Sequence, residues 1–127
     1  MSKKLKGNTI LIVEDDIDIQ LFVSEVLELE GYHVLRTGTG TEGLKLLQNN
    51  NIGLLLLDLR LPDMSGWGIL EHVKNEPETS VIPVVLFTAS VGVPQRERAL
   101  SMGAAEYLEK PLSAADLRDT VAHVLES

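Results

Sequence analysis

The sequence contains no cysteine among its 127 residues. Disulfide bonds, thiolate metal sites and cysteine nucleophiles are therefore excluded. It also has no apolar run that approaches the ~18 residues of a membrane-spanning helix. The basic start, Met1 to Gly7, leads into an apolar stretch that is too short for a secretory signal. We therefore expect a cytoplasmic protein with no membrane partner.

Basic residues are also scarce. The chain has 11 Lys and Arg against 19 Asp and Glu, which gives a formal net charge of -8. Non-specific affinity for nucleic acids comes largely from Lys and Arg contacts to phosphates, so this balance argues against nucleic acid as a direct partner. It suits a cation, or a protein partner that carries a basic surface.

Five short apolar runs alternate with five segments of helical periodicity. The runs predict strands at residues 9–13, 32–37, 52–57, 84–88 and 106–110. The helix after the first run carries apolar residues at helical spacing, namely Ile19, Phe22, Val23, Val26 and Leu27, and stops at Gly31. The other helices are predicted over 41–49, from Gly66 through Val73, from Pro94 to Met102, and from Ser113 or Ala114 onward.

This order of elements predicts one α/β domain with a core over about residues 9–125. Strands that alternate with helices form a parallel sheet with helices on both faces, so the expected architecture is a doubly wound (βα)5 fold. The run at 52–57 is apolar at almost every position, which indicates a strand buried on both faces.

Polar residues follow four of the predicted strands. Glu14 and Asp15 follow the first, Asp58 the third and Lys110 the fifth, while Thr88 ends the fourth. The carboxyl ends of parallel strands meet at one edge of a sheet, so these side chains are expected to converge. Clustered carboxylates repel one another unless a cation compensates them. An oxygen-ligated hard cation fits, namely Mg²⁺, with Mn²⁺ as a substitute.

The same set of side chains is suited to accepting a phosphoryl group. Asp58 would be the attacking carboxylate. The metal and Lys110 would offset the charge on the phosphoryl oxygens, and the Thr88 hydroxyl would hydrogen-bond one of them.

The chain resembles the receiver domain of two-component and phosphorelay response regulators, including the chemotaxis regulators, from about Thr9 to Leu125. The matching segments are ILIVEDD (10–16), LLDLRLPDMSG (56–66), IPVVLFTAS (82–90) and GAAEYLEKP (103–111). Four motifs in this order are far more specific than any one of them. The resemblance implies a flavodoxin-like sheet with strand order 2-1-3-4-5.

The resemblance also implies a role for each acidic residue at the site. Asp58 would be the phosphoacceptor. Asp15 and Asp58 would bind Mg²⁺ directly, together with the backbone carbonyl of Arg60, and Glu14 would act through water. Asp16 lies one position beyond the acidic pair, so we expect it to cap the following helix instead.

The remaining implied residues recognise and report the phosphoryl group. Lys110 would bind it, and the Lys110-Pro111 peptide bond would be cis, as X-Pro bonds can be. Thr88 and Tyr107 would be the paired residues that change position on phosphorylation. Two positions would tune the lifetime of the phosphoryl group, Arg60 and Ser90.

By this resemblance the protein is a phosphorylation-dependent signalling switch rather than an enzyme, and it catalyses only its own phosphorylation and dephosphorylation. A sensor histidine kinase or a histidine phosphotransfer protein would supply the phosphoryl group to Asp58. The helix from Pro94 to Met102, the strand of Tyr107 and the last helix would bind a downstream protein or a fused output domain. We expect no output domain within these residues, and a monomer or weak dimer.

An alternative class of protein is suggested by the glycines from Gly38 to Gly43. They spell Gly-x-Gly-x-x-Gly between a strand and a helix, which is the form of a dinucleotide fingerprint in a Rossmann-like domain. That fingerprint belongs to the first strand-to-helix turn, whereas this one follows the second strand. We expect the glycines to serve the turn into the helix, and no cofactor other than the metal.

A second alternative is a phosphatase with an aspartate nucleophile, similar to the haloacid dehalogenase family. That chemistry uses a carboxylate two residues after the nucleophile as a general acid. Arg60 occupies this position after Asp58 and does not give up a proton at neutral pH, so the phosphatase interpretation is disfavoured.

Overall fold

The computed structural model of the chain describes residues 9–89 and 93–126. Its strands are β1 (Thr9–Val13), β2 (His33–Thr37), β3 (Ile52–Leu57), β4 (Val84–Thr88) and β5 (Glu106–Glu109). Its helices are α1 (Ile17–Leu29), α2 (Gly40–Asn49), α3 (Gly66–Asn75), α4 (Val93–Ser101) and α5 (Ala114–Glu126). Each predicted element is present, with ends that differ by one or two residues. Within the described residues, no helix is both long and apolar enough to cross a membrane.

The five strands form one parallel sheet in the order β2-β1-β3-β4-β5, so the predicted fold class is confirmed. The chain places β2 on one side of β1 and then β3, β4 and β5 on the other side. The strands β1 and β3 therefore lie side by side where the direction of strand addition changes. Their last residues are in register, with Val13 opposite Leu57. The residues that follow, Glu14 and Asp58, therefore leave the sheet next to each other.

Two apolar layers hold the sheet. Alternate residues of each inner strand point to opposite faces, so Leu55 and Leu57 of β3 join one layer while Leu54 and Leu56 join the other. The helices α2, α3 and α4 cover the first face, and α1 and α5 cover the second. Full burial of one such leucine stabilises the fold by roughly 1.5–3 kcal/mol.

The inward face of α1 differs from the prediction at Phe22. Val23, Val26 and Leu27 are buried as expected, but Phe22 is 39% exposed. Gln20 and Ser24 take inner positions instead. The side-chain amide of Gln20 donates to the backbone carbonyl of Glu14, so a polar residue replaces an apolar one beside the sheet edge.

The start of α1 is capped as predicted. The Asp16 side chain accepts the backbone N–H of Asp18 at 2.9 Å and that of Ile19 at 3.3 Å. These N–H groups have no partner within the helix, so the contact stabilises its first turn.

The glycines after β2 have a different role from the one expected. Gly38 lies in the turn, but Gly40 and Gly43 lie inside α2. A Cβ atom at Gly40 would stand 2.4 Å from Cγ of Met64, and one at Gly43 would stand 2.8 Å from Cγ2 of Val13. Neither glycine has a positive φ. The turn explanation is therefore wrong for Gly40 and Gly43, which allow α2 to pack closely.

Candidate functional site

Three carboxylates meet at the carboxyl edge of β1 and β3. Glu14, Asp15 and Asp58 each present an oxygen within 4.8 Å of the other two. Glu14 and Asp58 are buried, whereas Asp15 is exposed. The in-register ends of β1 and β3 create this cluster, because each strand delivers its acidic residue at the same height. Carboxylate oxygens at this spacing fit a hard divalent cation.

The Lys110 ammonium reaches the same cluster from β5. Its Nζ lies 2.5 Å from Oε1 of Glu14 and 3.2 Å from Oδ2 of Asp58. The backbone N–H of Lys110 donates to the carbonyl of Thr88 at 2.9 Å, which fixes the residue at the end of β5. The peptide bond between Lys110 and Pro111 is cis.

Burial and charge act in opposite directions on this ion pair. Burial raises the pKa of Glu14, and the hydrogen bond from Lys110 only partly opposes the effect. For Lys110, burial alone would lower the pKa, but the hydrogen bond to Glu14 and the charge of Asp58 outweigh it and hold the pKa above its ordinary value. Lys110 therefore stays charged and balances two buried carboxylates.

The carboxylates of Glu14 and Asp58 are each held at both oxygens. Oε2 of Glu14 accepts the backbone N–H of Asp16 at 2.9 Å, while its other oxygen contacts Lys110. Oδ1 of Asp58 accepts the backbone N–H of Arg60 at 3.2 Å, while Oδ2 contacts Lys110. The side chain of Arg60 is exposed. Asp58, the first residue of the loop between β3 and α3, is thus oriented by the Arg60 backbone on one side and by Lys110 on the other.

Thr88 and Tyr107 lie on neighbouring strands and are both buried. Tyr107 pairs with Leu86 across β4 and β5, and Thr88 follows two residues later on the same face of β4. Tyr107, Leu86 and Ala99 of α4 belong to the same buried apolar cluster. Burial raises the pKa of the Tyr107 hydroxyl. Ser90, predicted to tune the phosphoryl lifetime, lies outside the described residues.

Asp63 is a site residue that the sequence did not reveal. Its Oδ1 accepts the backbone N–H of Gly40 at 2.8 Å, and its Oδ2 accepts the backbone N–H and the hydroxyl of Thr41 at 2.9 and 2.7 Å. These hydrogen bonds lower the pKa of Asp63 to about 2. The N-terminus of α2 thus already holds a carboxylate where a dinucleotide-binding domain would hold a phosphate.

A contact between α3 and α4 was also not predicted. The Arg98 guanidinium stacks on the Trp67 ring, 4.0 Å from its centroid. Arg96 lies nearby on α4 and donates from Nη1 to the backbone carbonyl of Tyr107 at 3.1 Å. A pattern of apolar residues carries no signal for either arginine, because each contact depends on how two separate elements pack.

Comparison with known proteins identifies similar chains of matching length. The family model described as the response regulator receiver domain matches residues 10–122. The polar-differentiation response regulator DivK of Brucella ovis is 32% identical over 92% of this chain and 95% of DivK. The solved structure of a response regulator receiver domain protein (CheY-like) from Methanospirillum hungatei superposes with a TM-score of 0.86 at 33% identity, covering 96% of this chain and 94% of that one.

Other relatives are much longer than this chain. A protein named histidine kinase P4, from Formosa agariphila, is 34% identical over 94% of this chain, but the match covers 9% of that protein. The chain spans about half the length of several relatives that are named as transcriptional regulators. The chain is therefore similar to a module that occurs in proteins of different overall organisation.

Proposed function

The chain belongs to the response regulator receiver domain family, and from this premise we propose that it is a phosphorylation-dependent signalling switch with Asp58 as its phosphoacceptor. Receiver domains accept phosphoryl groups. The observation that supports Asp58 in this role is its position, buried beside Glu14 and Asp15 and in contact with the Lys110 ammonium.

The proposed reaction transfers a phosphoryl group from a phosphohistidine to Asp58. A carboxylate oxygen of Asp58 forms a bond to phosphorus, the P–N bond of the donor breaks, and its electron pair stays on the imidazole nitrogen, which then takes a proton. The donor is a sensor histidine kinase or a histidine phosphotransfer protein. The domain accelerates only its own phosphorylation and dephosphorylation.

The carboxylate cluster supports a role for Mg²⁺, or Mn²⁺ in its place. Asp15, Asp58 and the backbone carbonyl of Arg60 would hold the ion directly, and Glu14 through water. When bound, the ion supplies positive charge that offsets the negative charge on the phosphoryl oxygens. The oxygen donors of the carboxylate cluster are of the type that Mg²⁺ prefers, and two of the three carboxylates in the cluster are buried.

Lys110 has two successive roles in this proposal. Before phosphorylation its ammonium compensates Glu14 and Asp58, as the two short contacts indicate. After transfer the phosphoryl oxygens carry more charge than the carboxylate they replace, so Lys110 binds them instead. The Thr88 hydroxyl then donates to the same group.

The signal leaves the site through Thr88 and Tyr107. Thr88 moves toward the phosphoryl group, and Tyr107 turns into the vacated space. This changes the surface formed by α4, β5 and α5, to which a downstream protein or a fused output domain binds. Arg60 and Ser90 adjust how long the phosphoryl group lasts. We also propose a cytoplasmic location, one receiver domain over the chain, and a monomer or weak dimer.

Intact mass tests the proposal directly. The chain is incubated with a small phosphodonor with and without Mg²⁺, as the native sequence and as Asp58→Asn. We expect a gain of one phosphoryl group that requires both Mg²⁺ and Asp58. Asp16→Asn is the matched control, since it changes a neighbouring carboxylate that only caps α1, and it should still be phosphorylated. A gain that persists in Asp58→Asn would show that another residue is the acceptor.

A further inference from the structure

The loop between β3 and α3 is tied to α2 by two adjacent residues. Asp63 accepts both the Gly40 and the Thr41 backbone N–H, and it also accepts the Thr41 hydroxyl. The next residue, Met64, packs where a Cβ atom at position 40 would stand. The first N–H groups of a helix have no intrahelical partner, and a negative charge is favoured at this end of a helix. Both effects stabilise the Asp63 carboxylate at the start of α2.

The other end of the loop is fixed close to Asp58. The backbone N–H of Gly66 donates to the Leu59 carbonyl at 2.9 Å, and a Cβ atom at Gly66 would stand 2.5 Å from the Asp58 carbonyl oxygen. Arg60 lies between these two attachments. Its N–H donates to Asp58 Oδ1, and its backbone pairs with Ser65.

The contact of Asp63 is not simply a missing cap for α2. That helix already has a capping residue of its own, because the Thr39 hydroxyl accepts the backbone N–H of Glu42 at 3.2 Å. Thr39 reaches its own helix, whereas Asp63 reaches across 23 residues from the loop after Asp58. Asp63 therefore restrains the loop as well as the helix.

We infer that Asp63 is a positioning residue for the metal site: by anchoring the β3–α3 loop on α2, it holds the Arg60 backbone in the conformation that the site requires. This inference rests on the proposed function, which assigns the Arg60 carbonyl to the metal. The role is of the kind that residues behind metal ligands have, where substitution typically weakens metal affinity about 10–100-fold.

The test compares Mg²⁺ affinity in four chains: native, Asp63→Ala, Asp63→Asn and Thr39→Ala. The Mg²⁺ dissociation constant is measured from backbone amide chemical shifts during titration with MgCl₂, and urea unfolding gives the stability of each chain. We expect Asp63→Ala to weaken Mg²⁺ binding about tenfold, at the low end of the range for such residues. Asp63→Asn should bind within about threefold of the native chain, since its amide oxygen still accepts an N–H group.

Thr39→Ala separates positioning from helix stability. It removes a cap from the same helix but no contact to the loop, so it should lower stability and leave the Mg²⁺ dissociation constant unchanged. If Asp63→Ala does not fold, Thr41→Ala removes one of the three hydrogen bonds and should weaken Mg²⁺ binding about twofold, a smaller share of the same effect.

Three results would overturn the inference while the native chain binds Mg²⁺. The first is a native Mg²⁺ affinity in Asp63→Ala or, where that chain does not fold, in Thr41→Ala. The second is an equal loss of Mg²⁺ affinity in Asp63→Asn and Asp63→Ala, which would indicate that the charge of Asp63 is responsible. The third is an equal loss of Mg²⁺ affinity in Thr39→Ala, which would indicate that the stability of α2 is responsible. A native chain that shows no saturable Mg²⁺ binding would contradict the proposed function itself, and the inference with it.

Discussion

Lys110 places one ammonium group against two buried carboxylates, Glu14 and Asp58, and its own side chain is only 16% exposed. Removing one partner of a buried ion pair usually costs more than the pair contributes, because the remaining charges lose their compensation. Here the remaining charges are both negative, so they would also repel each other.

We predict that Lys110→Met lowers the free energy of unfolding without Mg²⁺ by about 2 kcal/mol, less than the 3–5 kcal/mol of a fully buried pair, because the site opens to solvent at Asp15. Added Mg²⁺ should restore part of the loss. Urea unfolding with and without Mg²⁺ measures both effects. Lys45→Met, at an exposed position on α2, is the control. An equal stability of the two variants would contradict the assigned role of Lys110.

The contribution of Asp63 to the stability of the folded state should depend on pH. Its folded-state pKa is about 2, below the ordinary value of 3.8, so ionised Asp63 favours the folded state. This contribution is complete above the ordinary value and is lost as the pH falls toward 2. The full destabilising effect of Asp63→Ala should therefore be present at pH 6. The difference in free energy of unfolding from the native chain should shrink between about pH 4 and pH 2. Urea unfolding across this range measures it, and a difference that does not change with pH would argue against the ionised contact.

Over residues 95–101, whose side chains the structure describes, α4 makes several polar contacts to the rest of the protein. Among its described side chains, only Ala99 is buried. Arg96 binds the Tyr107 carbonyl and lies 3.6 Å from Glu106, while Arg98 stacks on Trp67. The described part of α4 therefore buries little apolar surface and can shift at low cost, which suits the element proposed to change on phosphorylation.

We predict that Arg98→Ala loosens α4 and changes the fluorescence of Trp67, the chain's single tryptophan. A cation–π contact at an exposed site contributes about 0.5–1 kcal/mol, so amide exchange in α4 should rise about two- to fivefold. Hydrogen exchange by NMR and tryptophan emission measure these changes. Arg118→Ala, on α5 and 4.0 Å from Glu30, is the control and should leave both unchanged. Native exchange rates in Arg98→Ala would mean that the stack does not restrain α4.

The elements were predictable because each is encoded by neighbouring residues. The apolar run of β3 indicates its burial, and Asp16 marks the start of α1. Contacts that a side chain makes outside its own element were not encoded in this way. Phe22 fits the apolar periodicity of α1, yet Gln20 takes the inner position because its amide finds the Glu14 carbonyl. The convergence of the acidic residues could be predicted because parallel topology dictates it.

At the scale of the whole molecule, the site and α4 share one apolar layer. Leu86, Tyr107 and Ala99 belong to the same cluster, on the face of the sheet that α2, α3 and α4 cover. Thr88 follows Leu86 by two residues and therefore points to this face. A close-packed layer transmits a displacement, because it has few voids to absorb one. A movement of Thr88 should consequently reach α4 before it reaches α5, which covers the opposite face of the sheet.

We predict that Thr88→Ala leaves Asp58 able to accept a phosphoryl group but reduces the response of α4 and β5. The variant keeps the carboxylates and Lys110, while it removes the hydroxyl that would bind the phosphoryl oxygen. Intact mass measures phosphorylation, and the amide chemical shifts of α4 and β5 before and after phosphorylation measure the response, which should fall by more than half. Thr37→Ala, at the end of β2, is the matched control and should respond like the native chain. A full response in Thr88→Ala would mean that the phosphoryl group reaches α4 by another route, with the α3 start at Trp67 as the next contact to test.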